Sequence, residues 1–443
     1  MNTNRWSTTQ ILSFGFAMLI LIGGLLLSLP VAGKNGAGIP FLNALFTSAS
    51  ATCVTGLVVY DTWTQFSYFG QAVILLLIQI GGLGFMAVAI LVSLAVGRRI
   101  GLRERSLLAE AVSSMQVGGV VRLVRRMLIG TALFEGIGAL LLAIRFVPMF
   151  GAGQGLWFAV FHSVSAFCNA GFDLMGVRSP FSSLTSFYDD PLIILTIAGL
   201  IIAGGIGFVV WNDLIESRFH FKNLHLHTRA VLFSTLALLL IGTVAFVSLE
   251  YNGTMRSMNP GTRMLSAFFQ SVTPRTAGFN SLDIASLSDG SKFVTMLLMF
   301  IGAAPGGTGG GIKVTTFAVM VASVLAQLRA RDDVNLFHFR LEAEAIRRAF
   351  CGAAVYLAMT VGGILILCAQ EQSLTAAAFE TLSAIGTVGL TVGITPTLQA
   401  LSRIAIILLM YAGRVGSLTV FMAVAQPKHN GKLKNPVGKI IVG

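Results

Sequence analysis

TLSAIGTVGL, at residues 381–390, is one of four copies of a short apolar phrase that ends in glycine followed by Leu or Phe. The other copies are SASATCVTGL at 48–57, SVSAFCNAGF at 163–172 and QSVTPRTAGF at 270–279. Their glycines, Gly56, Gly171, Gly278 and Gly389, lie 115, 107 and 111 residues apart. A near-constant period indicates repeated structural units. We predict four equivalent units around one axis, each supplying one glycine, which is the arrangement that a cation pore needs.

The composition shows that lipid is the solvent around this chain. Of its 443 residues, 55% are hydrophobic and 11% are charged, and the mean hydropathy is +0.82. Soluble globular proteins carry about 25% charged residues. The first apolar run, 11–29, is long enough to span a bilayer and lacks a convincing signal cleavage site. The four cysteines have no metal-ligand spacing, and we interpret them as packing residues.

Each predicted unit has the same plan: a hydrophobic span, a shorter apolar stretch that ends in the repeated phrase, and a second span. The first spans are 11–30, 127–147, 230–250 and 349–369, and the second spans are 68–96, 191–215, 293–325 and 401–425. The intervening stretches are 40–52, 155–168, 260–274 and 374–386. A dozen residues are too few to cross about 30 Å of hydrocarbon, so we predict re-entrant half-helices with loops, and interfacial helices are the alternative.

The fold class is therefore an all-α polytopic membrane protein with four helix–pore-loop–helix repeats and pseudo-fourfold symmetry. The predicted repeats are 1–98, 99–218, 219–330 and 331–443. The net charge of +12 is mainly a topology signal, because 20 of the 30 Lys and Arg lie in the N-terminus, 97–126, 217–229, 326–348 and 426–443. Positive loops stay in the cytoplasm. Both termini are thus predicted to be cytoplasmic, and no nucleic-acid partner is expected.

The repeated phrases face outward in this topology, close to five acidic residues. These are Asp61, Asp173, Asp189, Asp190 and Asp283. Acidic residues at a pore mouth concentrate cations, and ordinary solvated loops explain them equally well. Polar residues near the glycines are expected either to satisfy backbone groups behind the loops or to cap helix ends.

Backbone carbonyls suit a pore because they coordinate a dehydrated cation without binding it through net charge. Glycine permits the positive φ that this geometry requires and leaves the axis free of side chains. We predict that a cation is coordinated at the carbonyls of a filter formed by four segments. They are Thr52, Cys53, Val54, Thr55 and Gly56; Phe167, Cys168, Asn169, Ala170 and Gly171; Pro274, Arg275, Thr276, Ala277 and Gly278; and Ile385, Gly386, Thr387, Val388 and Gly389.

The third unit interrupts its own second span with GAAPGGTGGGIKVT at 302–315. One proline and a run of glycines destabilise a helix by about 3 and 1 kcal/mol per residue. We predict an unwound intramembrane loop below the filter. A phosphate-binding loop is excluded because no Gly-Lys-Ser/Thr follows and the segment lies in a span. The corresponding parts of the other units, at 81–84, 204–207 and 413–416, lack proline, and their spans are expected to be intact.

The four phrases and the broken third span resemble the Trk/Ktr/HKT superfamily of cation transporters, and most of all its Ktr-type membrane subunits. The resemblance covers essentially the whole chain and implies K⁺ selectivity from four filter glycines, with Na⁺ stimulation. It also implies a homodimer in the bacterial plasma membrane and a cytoplasmic ring of KtrA-like Rossmann subunits that bind the nucleotide. This chain itself would carry no cofactor. The alternative within the family is a Trk-type or less selective K⁺/Na⁺ transporter.

In this family the intramembrane loop obstructs the pore and moves when it opens. The predicted gate is Pro305, Gly306, Gly307, Thr308, Gly309, Gly310, Gly311, Lys313 and Arg414. We expect Arg414 to hydrogen-bond loop carbonyls and form an electrostatic barrier, with a helix–helix clamp as the alternative. Lys313 is also expected to snorkel to the cytoplasm. Glu135 is expected to pair with a basic residue as a helix-packing clamp, with an effect on ion coupling as the alternative.

Two other classes of protein remain as alternatives. An intramembrane enzyme needs a converging nucleophile and base, and only His162 among the six histidines lies near a span. A scaffold for the cytoplasmic ring would conduct no ions. We therefore predict that the chain is not an enzyme.

Overall fold

The computed structural model describes residues 8–84 and 120–416, which are almost entirely helical. The first repeat begins with α1 (Thr8–Ser28), followed by α2 (Phe41–Thr52), a short α3 (Thr62–Gln65) and α4 (Tyr68–Leu83). Ser67 starts α4 by accepting a hydrogen bond from the Gly70 N–H. Such a cap satisfies one of the amides that the first turn leaves free.

The second repeat contains α5 (Val120–Phe150), α6 (Ala152–Phe167), α7 (Pro191–Gly205) and α8 (Phe208–Glu216). The start of α7 is set by Asp190, whose carboxylate accepts hydrogen bonds from two amides of the first turn. Pro191 follows it at the first helical position, where its missing N–H has no cost.

The third repeat contains α9 (Leu226–Glu250), α10 (Pro260–Val272), α11 (Asp289–Phe300) and α12 (Val314–Leu328). The fourth contains α13 (Ala343–Cys368), α14 (Leu374–Gly386) and α15 (Ala400–Val415). Two-residue strands, β1 (Asn335–Leu336) and β2 (Phe339–Arg340), pair antiparallel between α12 and α13.

Four helices in the described part of the chain, α1, α5, α9 and α13, are long and apolar enough to cross a membrane. They match the four predicted first spans. At most 33% of each hydrophobic window is buried, so most of their apolar surface faces outward. Apolar surface of this extent requires lipid. The predicted half-helices also form, as α2, α6, α10 and α14, each 12–16 residues long.

Each half-helix packs closely on the first span of its own repeat through a glycine. A side chain at any of these glycines would contact a small polar side chain of the half-helix. The pairs are Gly23 with Ser48, Gly138 with Ser163, Gly242 with Ser271, and Gly363 with Thr381. The three serine hydroxyls also donate to backbone oxygens of that first span. Small residues in membrane helices allow this close approach.

The prediction of an intact second span in the second repeat is wrong. Helices α7 and α8 meet at an angle of 88°. Gly207 between them has φ +91°, and a Cβ there would lie 2.8 Å from the Pro305 oxygen. The Phe208 N–H donates to the Gly306 oxygen at 3.0 Å, so the intramembrane loop caps the second half of the broken span.

The basic stretch 326–348 has apolar residues at helical spacing, and an amphipathic surface helix is one interpretation of it, beside docking to the cytoplasmic ring. The structure contradicts the first interpretation, because the stretch is not one continuous helix. After α12 the chain forms the β1–β2 hairpin, and helix resumes only at Ala343. Phe337 and His338 at its tip have φ +47° and +69°. Two successive positive φ values define the tight turn that matches the twist of a hairpin.

Several predicted features lie outside the described residues. They are the second halves of the spans 68–96 and 401–425, most of the basic stretch 97–126, and the tail 426–443.

Candidate functional site: a glycine ring above an intramembrane loop

The four repeated glycines form a closed ring in chain order. A Cβ added to Gly56 would lie 2.6 Å from the Ala170 oxygen, and one added to Gly171 would lie 2.6 Å from the Ala277 oxygen. A Cβ added to Gly278 would likewise contact the Val388 oxygen, and one added to Gly389 would contact the Thr55 oxygen. In every case the carbonyl belongs to the residue that precedes the next glycine. No side chain fits between the loops, so glycine is a steric requirement at all four positions.

All four loops share one backbone conformation. In each, the glycine and the residue two positions before it have positive φ. The pairs are Val54 at +50° and Gly56 at +94°, Asn169 at +57° and Gly171 at +69°, Thr276 at +74° and Gly278 at +84°, and Thr387 at +52° and Gly389 at +93°. A non-glycine residue in this region costs of order 1–3 kcal/mol and persists only where its surroundings impose it.

Hydroxyl groups at the ends of the half-helices hold this conformation. The Ser50 hydroxyl accepts from the Gly56 N–H at 3.0 Å, and the Ser383 hydroxyl accepts from the Gly389 N–H at 3.1 Å. The Ser165 hydroxyl instead donates to the Phe172 oxygen at 2.7 Å. These three contacts confirm that polar residues near the glycines satisfy backbone groups of the loops.

In the third loop the hydroxyl residue that binds the loop backbone lies one residue closer to the glycine, and sequence analysis missed it. Thr273 lies five residues before its glycine, whereas Ser50, Ser165 and Ser383 each lie six residues before theirs. The Thr273 hydroxyl donates to the Phe279 oxygen at 2.5 Å. A search for hydroxyl residues at a spacing of five or six would have found it.

The side chains of the predicted filter residues point away from the ring in several cases. Arg275 is 8% exposed and contacts the Thr235 hydroxyl at 3.3 Å, on α9 behind its loop. Cys53 and Cys168 are buried free thiols, as predicted for packing residues. The side chains of Asn169 and Thr276 hydrogen-bond to one another at 3.0 Å and join the second loop to the third.

The predicted intramembrane loop forms between α11 and α12, over residues 301–313, and the neighbouring repeats hold it. The Ala304 and Thr308 amides donate to the Gly205 and Gly204 oxygens at 3.0 and 3.2 Å, at the end of α7. The Gly310 amide donates to the Thr387 hydroxyl at 2.9 Å. The loop therefore lies directly against Thr387, a predicted filter residue of the fourth repeat.

The Thr308 side chain adds a second link to the predicted filter segments, because its hydroxyl donates to the Phe167 oxygen at 3.1 Å. Thr308 is fully buried, and so are most of the loop residues. The loop therefore packs against the second, third and fourth of the repeated loops.

Two cations contact the loop. Arg414 donates to the Thr308 oxygen and to the Gly81 and Gly82 oxygens at the end of α4, the last at 3.0 Å. The predicted contact with the loop is present, and it also clamps the first repeat to the third. Lys313 donates to the Gly309 oxygen at 2.8 Å, so the prediction that it extends to the cytoplasm is wrong. Loop carbonyls offer the ammonium group a partner within reach.

The prediction of a basic partner for Glu135 is also wrong among the described residues. Its carboxylate accepts from the Gln79 amide at 3.2 Å and lies 3.8 Å from the Cys168 sulfur, behind the second filter loop. An amide satisfies a carboxylate in a membrane without a second charge.

Most of the acidic residues predicted near the pore mouth accept hydrogen bonds from backbone amides. Asp61 is buried and accepts from the Thr64 and Phe181 amides at 2.8 and 2.9 Å, and Asp190 caps α7 and pairs with Arg145 at 3.0 Å. Burial, with the neighbouring charge of Asp61, raises the pKa of Asp173 to about 7.

The described residues contain no group of three or more His, Cys, Asp or Glu side chains that could hold a metal ion. Both ring nitrogens of His162 contact backbone groups, the Phe158 oxygen at 2.7 Å and the Leu174 amide at 3.3 Å. This histidine is a buried structural residue.

The fold and the ring define a polytopic helical membrane protein built around four converging backbone loops. A family model described as cation transport protein, TrkH, matches residues 8–433. The chain is 42% identical to Ktr system potassium uptake protein B of Bacillus subtilis (strain 168), over 99% of this chain and 97% of that protein. It is 38% identical to potassium/sodium uptake protein NtpJ of Enterococcus hirae, over 99% of this chain and 98% of that protein. This chain belongs to the TrkH family of cation transport proteins.

A solved structure supports the same fold. The crystal structure of the potassium transporter TrkH from Vibrio parahaemolyticus matches with a TM-score of 0.74 at 18% identity, over 96% of this chain and 86% of that chain.

Proposed function

We propose that this chain is the K⁺-translocating membrane subunit of an uptake system, with the glycine ring as its selectivity filter. The observation that carries this proposal is the closed succession of four glycines, each against the carbonyl that precedes the next. Converging backbone carbonyls replace the hydration shell of a cation and let it leave again. The filter is formed by the four segments 52–56, 167–171, 274–278 and 385–389, and K⁺ is the substrate.

Transport needs no reaction in this chain. A membrane potential contributes about 2.3 kcal/mol per elementary charge per 100 mV, which drives cation uptake through an open pathway. Membership of a transporter family supports a role that is not enzymatic.

The intramembrane loop, with Lys313 and Arg414, is the proposed gate. It packs against the second, third and fourth of the repeated loops, and two positive groups bind its carbonyls. Positive charge on the path of a cation raises the barrier to its passage. Opening requires the loop to move away from Gly204, Gly413 and Thr387, which it contacts in this state.

The partners follow from the names of the relatives. A Ktr system implies further components, so we propose a KtrA-like cytoplasmic ring that binds the nucleotide, a homodimer of this chain and stimulation by Na⁺. The basic loops support the proposal that both termini lie in the cytoplasm of a bacterium, with the chain in its plasma membrane.

A less selective K⁺/Na⁺ transporter is the second candidate, because one relative is named a potassium/sodium uptake protein. The two candidates differ in the ratio of K⁺ to Na⁺ transport.

The test is ⁸⁶Rb⁺ uptake into liposomes that contain the purified full-length chain, driven by an outward K⁺ gradient. We expect uptake that unlabelled K⁺ inhibits at lower concentrations than Na⁺ does. Gly278→Ser, alone or with Gly56→Ser, should lower flux or selectivity. Gly352→Ser is the control, since a Cβ at Gly352 meets no atom within 4 Å. Equal flux and equal K⁺/Na⁺ ratios in Gly278→Ser and Gly352→Ser, with both proteins monodisperse, would refute the filter. Equal inhibition by the two ions would favour the second candidate.

A further inference from the structure

An open groove of about 420 Å³ lies on the outer side of the third repeat, away from the ring. Its walls are the facing sides of α9 and α12, and the β1–β2 hairpin closes one end. The wall residues are apolar, among them Phe233, Ala237 and Ile241 of α9 and Phe317, Val321 and Leu325 of α12. Phe233 is 62% exposed and Ile241 66% exposed, so these walls face the bilayer.

The length of the groove matches one leaflet. Its lining on α9 runs from Ala230 to Ile241, which is about 16 Å at 1.5 Å per residue. Half of a hydrocarbon core of about 30 Å is about 15 Å. An acyl chain that enters at the hairpin end would therefore reach the middle of the bilayer inside this groove.

Two arginines line the hairpin end, Arg329 and Arg331. Within residues 8–84 and 120–416, neither guanidinium group has a carboxylate within 4 Å. The nearby Asp333 is already paired with Arg340 at 2.9 Å. The mouth of the groove thus carries the positive charge of Arg329 and Arg331, because Asp333 is paired with Arg340 instead.

We propose that this groove binds an acidic phospholipid, with its acyl chain between α9 and α12 and its headgroup phosphate at Arg329 and Arg331. Basic groups beside a membrane helix attract anionic headgroups, at about 1 kcal/mol for each Lys or Arg. A polypeptide segment is a poorer occupant, because its backbone would bring polar groups into the hydrocarbon. Under the proposed topology the bound lipid belongs to the inner leaflet.

The experiment is a lipid titration of the purified full-length chain, followed by native mass spectrometry, with phosphatidylglycerol and phosphatidylcholine as probes. In Arg329→Gln/Arg331→Gln we expect the affinity for phosphatidylglycerol to fall by about 30-fold, since two arginines contribute about 1 kcal/mol each. The affinity for phosphatidylcholine should not change. The matched control is Arg347→Gln/Arg348→Gln, which removes the same charge from exposed positions outside the groove.

A second variant tests the groove itself. Ala237→Phe fills it and should lower the affinity for both lipids, whereas Leu240→Phe, on the same helix but outside the lining, should not. Ala322→Phe makes the same block from α12 if Ala237→Phe is not recovered as a monodisperse protein. Equal phosphatidylglycerol affinity in wild type and the arginine variant would overturn the proposal. So would efficient cross-linking of Ala237→Cys between two copies at saturating lipid, which would make this face an interface. Lipid affinity is read without ion flux, so the proposed transport function can fail or stand independently.

Discussion

The glycine ring and the intramembrane loop are both glycine-rich backbone, but different contacts hold them. Each loop of the ring is bound to the end of its own half-helix, as when the Ser50 hydroxyl accepts from the Gly56 N–H and the Ser383 hydroxyl from the Gly389 N–H. The intramembrane loop is fastened mainly to other repeats, through the ends of α7 and α15 and through Thr387.

This difference supports the proposal that the ring stays rigid while the intramembrane loop moves. A loop held by its own helix keeps its shape when neighbouring repeats shift. A loop held by bonds to two neighbouring repeats is released when those repeats separate, and each bond contributes only about 1 kcal/mol net. The four predictions below test this contrast, from the largest expected effect to the smallest.

The ring should not tolerate a side chain. Gly389→Ala places a Cβ against the Thr55 oxygen at φ +93°, and the backbone strain alone costs about 1–3 kcal/mol. We expect ⁸⁶Rb⁺ flux to fall by at least about tenfold, because the carbonyl that the methyl group displaces belongs to the filter. Gly393→Ala is the control, with φ +99° and no atom within 4 Å of the added Cβ. Equal flux in the two variants would remove the steric argument for the ring.

The cationic clamp should restrain the loop. Arg414→Gln removes the charge and the bonds to Thr308, Gly81 and Gly82. Charged hydrogen bonds contribute about 1.5–3 kcal/mol, so ⁸⁶Rb⁺ flux measured without the cytoplasmic partner should rise by about tenfold. Arg403→Gln on the same helix, which loses bonds to Asn43 and Pro396, should leave this flux unchanged. An unchanged or lower flux in monodisperse Arg414→Gln protein would count against gating.

The link from filter to loop should have a smaller effect of the same sign. Thr387→Val keeps the shape of the side chain but removes the acceptor for the Gly310 amide. Val54 at the equivalent position of the first loop shows that valine fits this backbone. Loss of one hydrogen bond predicts a rise of about fivefold in partner-free flux, with the K⁺/Na⁺ ratio retained. Thr381→Val removes a buried hydroxyl that has no partner among the described residues, and should not change the flux.

The smallest effect on gating is expected at Ser50. Ser50→Ala leaves the buried Gly56 N–H without its acceptor, which costs about 1–3 kcal/mol of stability. Thermal unfolding should begin at a lower temperature, and the K⁺/Na⁺ ratio should fall, but partner-free flux should not rise. Ser266→Ala serves as the control, because the Ser266 hydroxyl is buried without a partner in the described part of the chain. A rise in flux equal to that of Thr387→Val would mean that both regions are held in the same way.

Periodicity and length predicted most of the fold. The four first spans and the four half-helices appear close to their predicted positions, because hydrophobic length sets what can cross a bilayer. The sequence also predicted the break in the third span, because Pro305 and the glycines that follow it destabilise a helix locally.

Features that depend on contacts between repeats were not predicted. At the 88° bend after Gly205 the Phe208 N–H binds the Gly306 oxygen of another repeat, and three glycines without proline do not predict such a bend. Lys313 and Glu135 have partners that hydropathy alone did not predict. Lys313 donates to the Gly309 oxygen, and Glu135 accepts from the Gln79 amide. The filter and gate roles of the residues named here remain predictions.

The sequence by itself determined a helical membrane protein with four half-helices, four repeated phrases that end in glycine, and a break in the third of the second spans. These properties follow from composition, period and local backbone preference. Only the tertiary structure decided that each glycine lies against the carbonyl before the next, and that Arg414 joins α4 to the intramembrane loop. The physical reason is that carbonyl groups are the same in every residue. Which of them meet depends on how the four repeats close around one another.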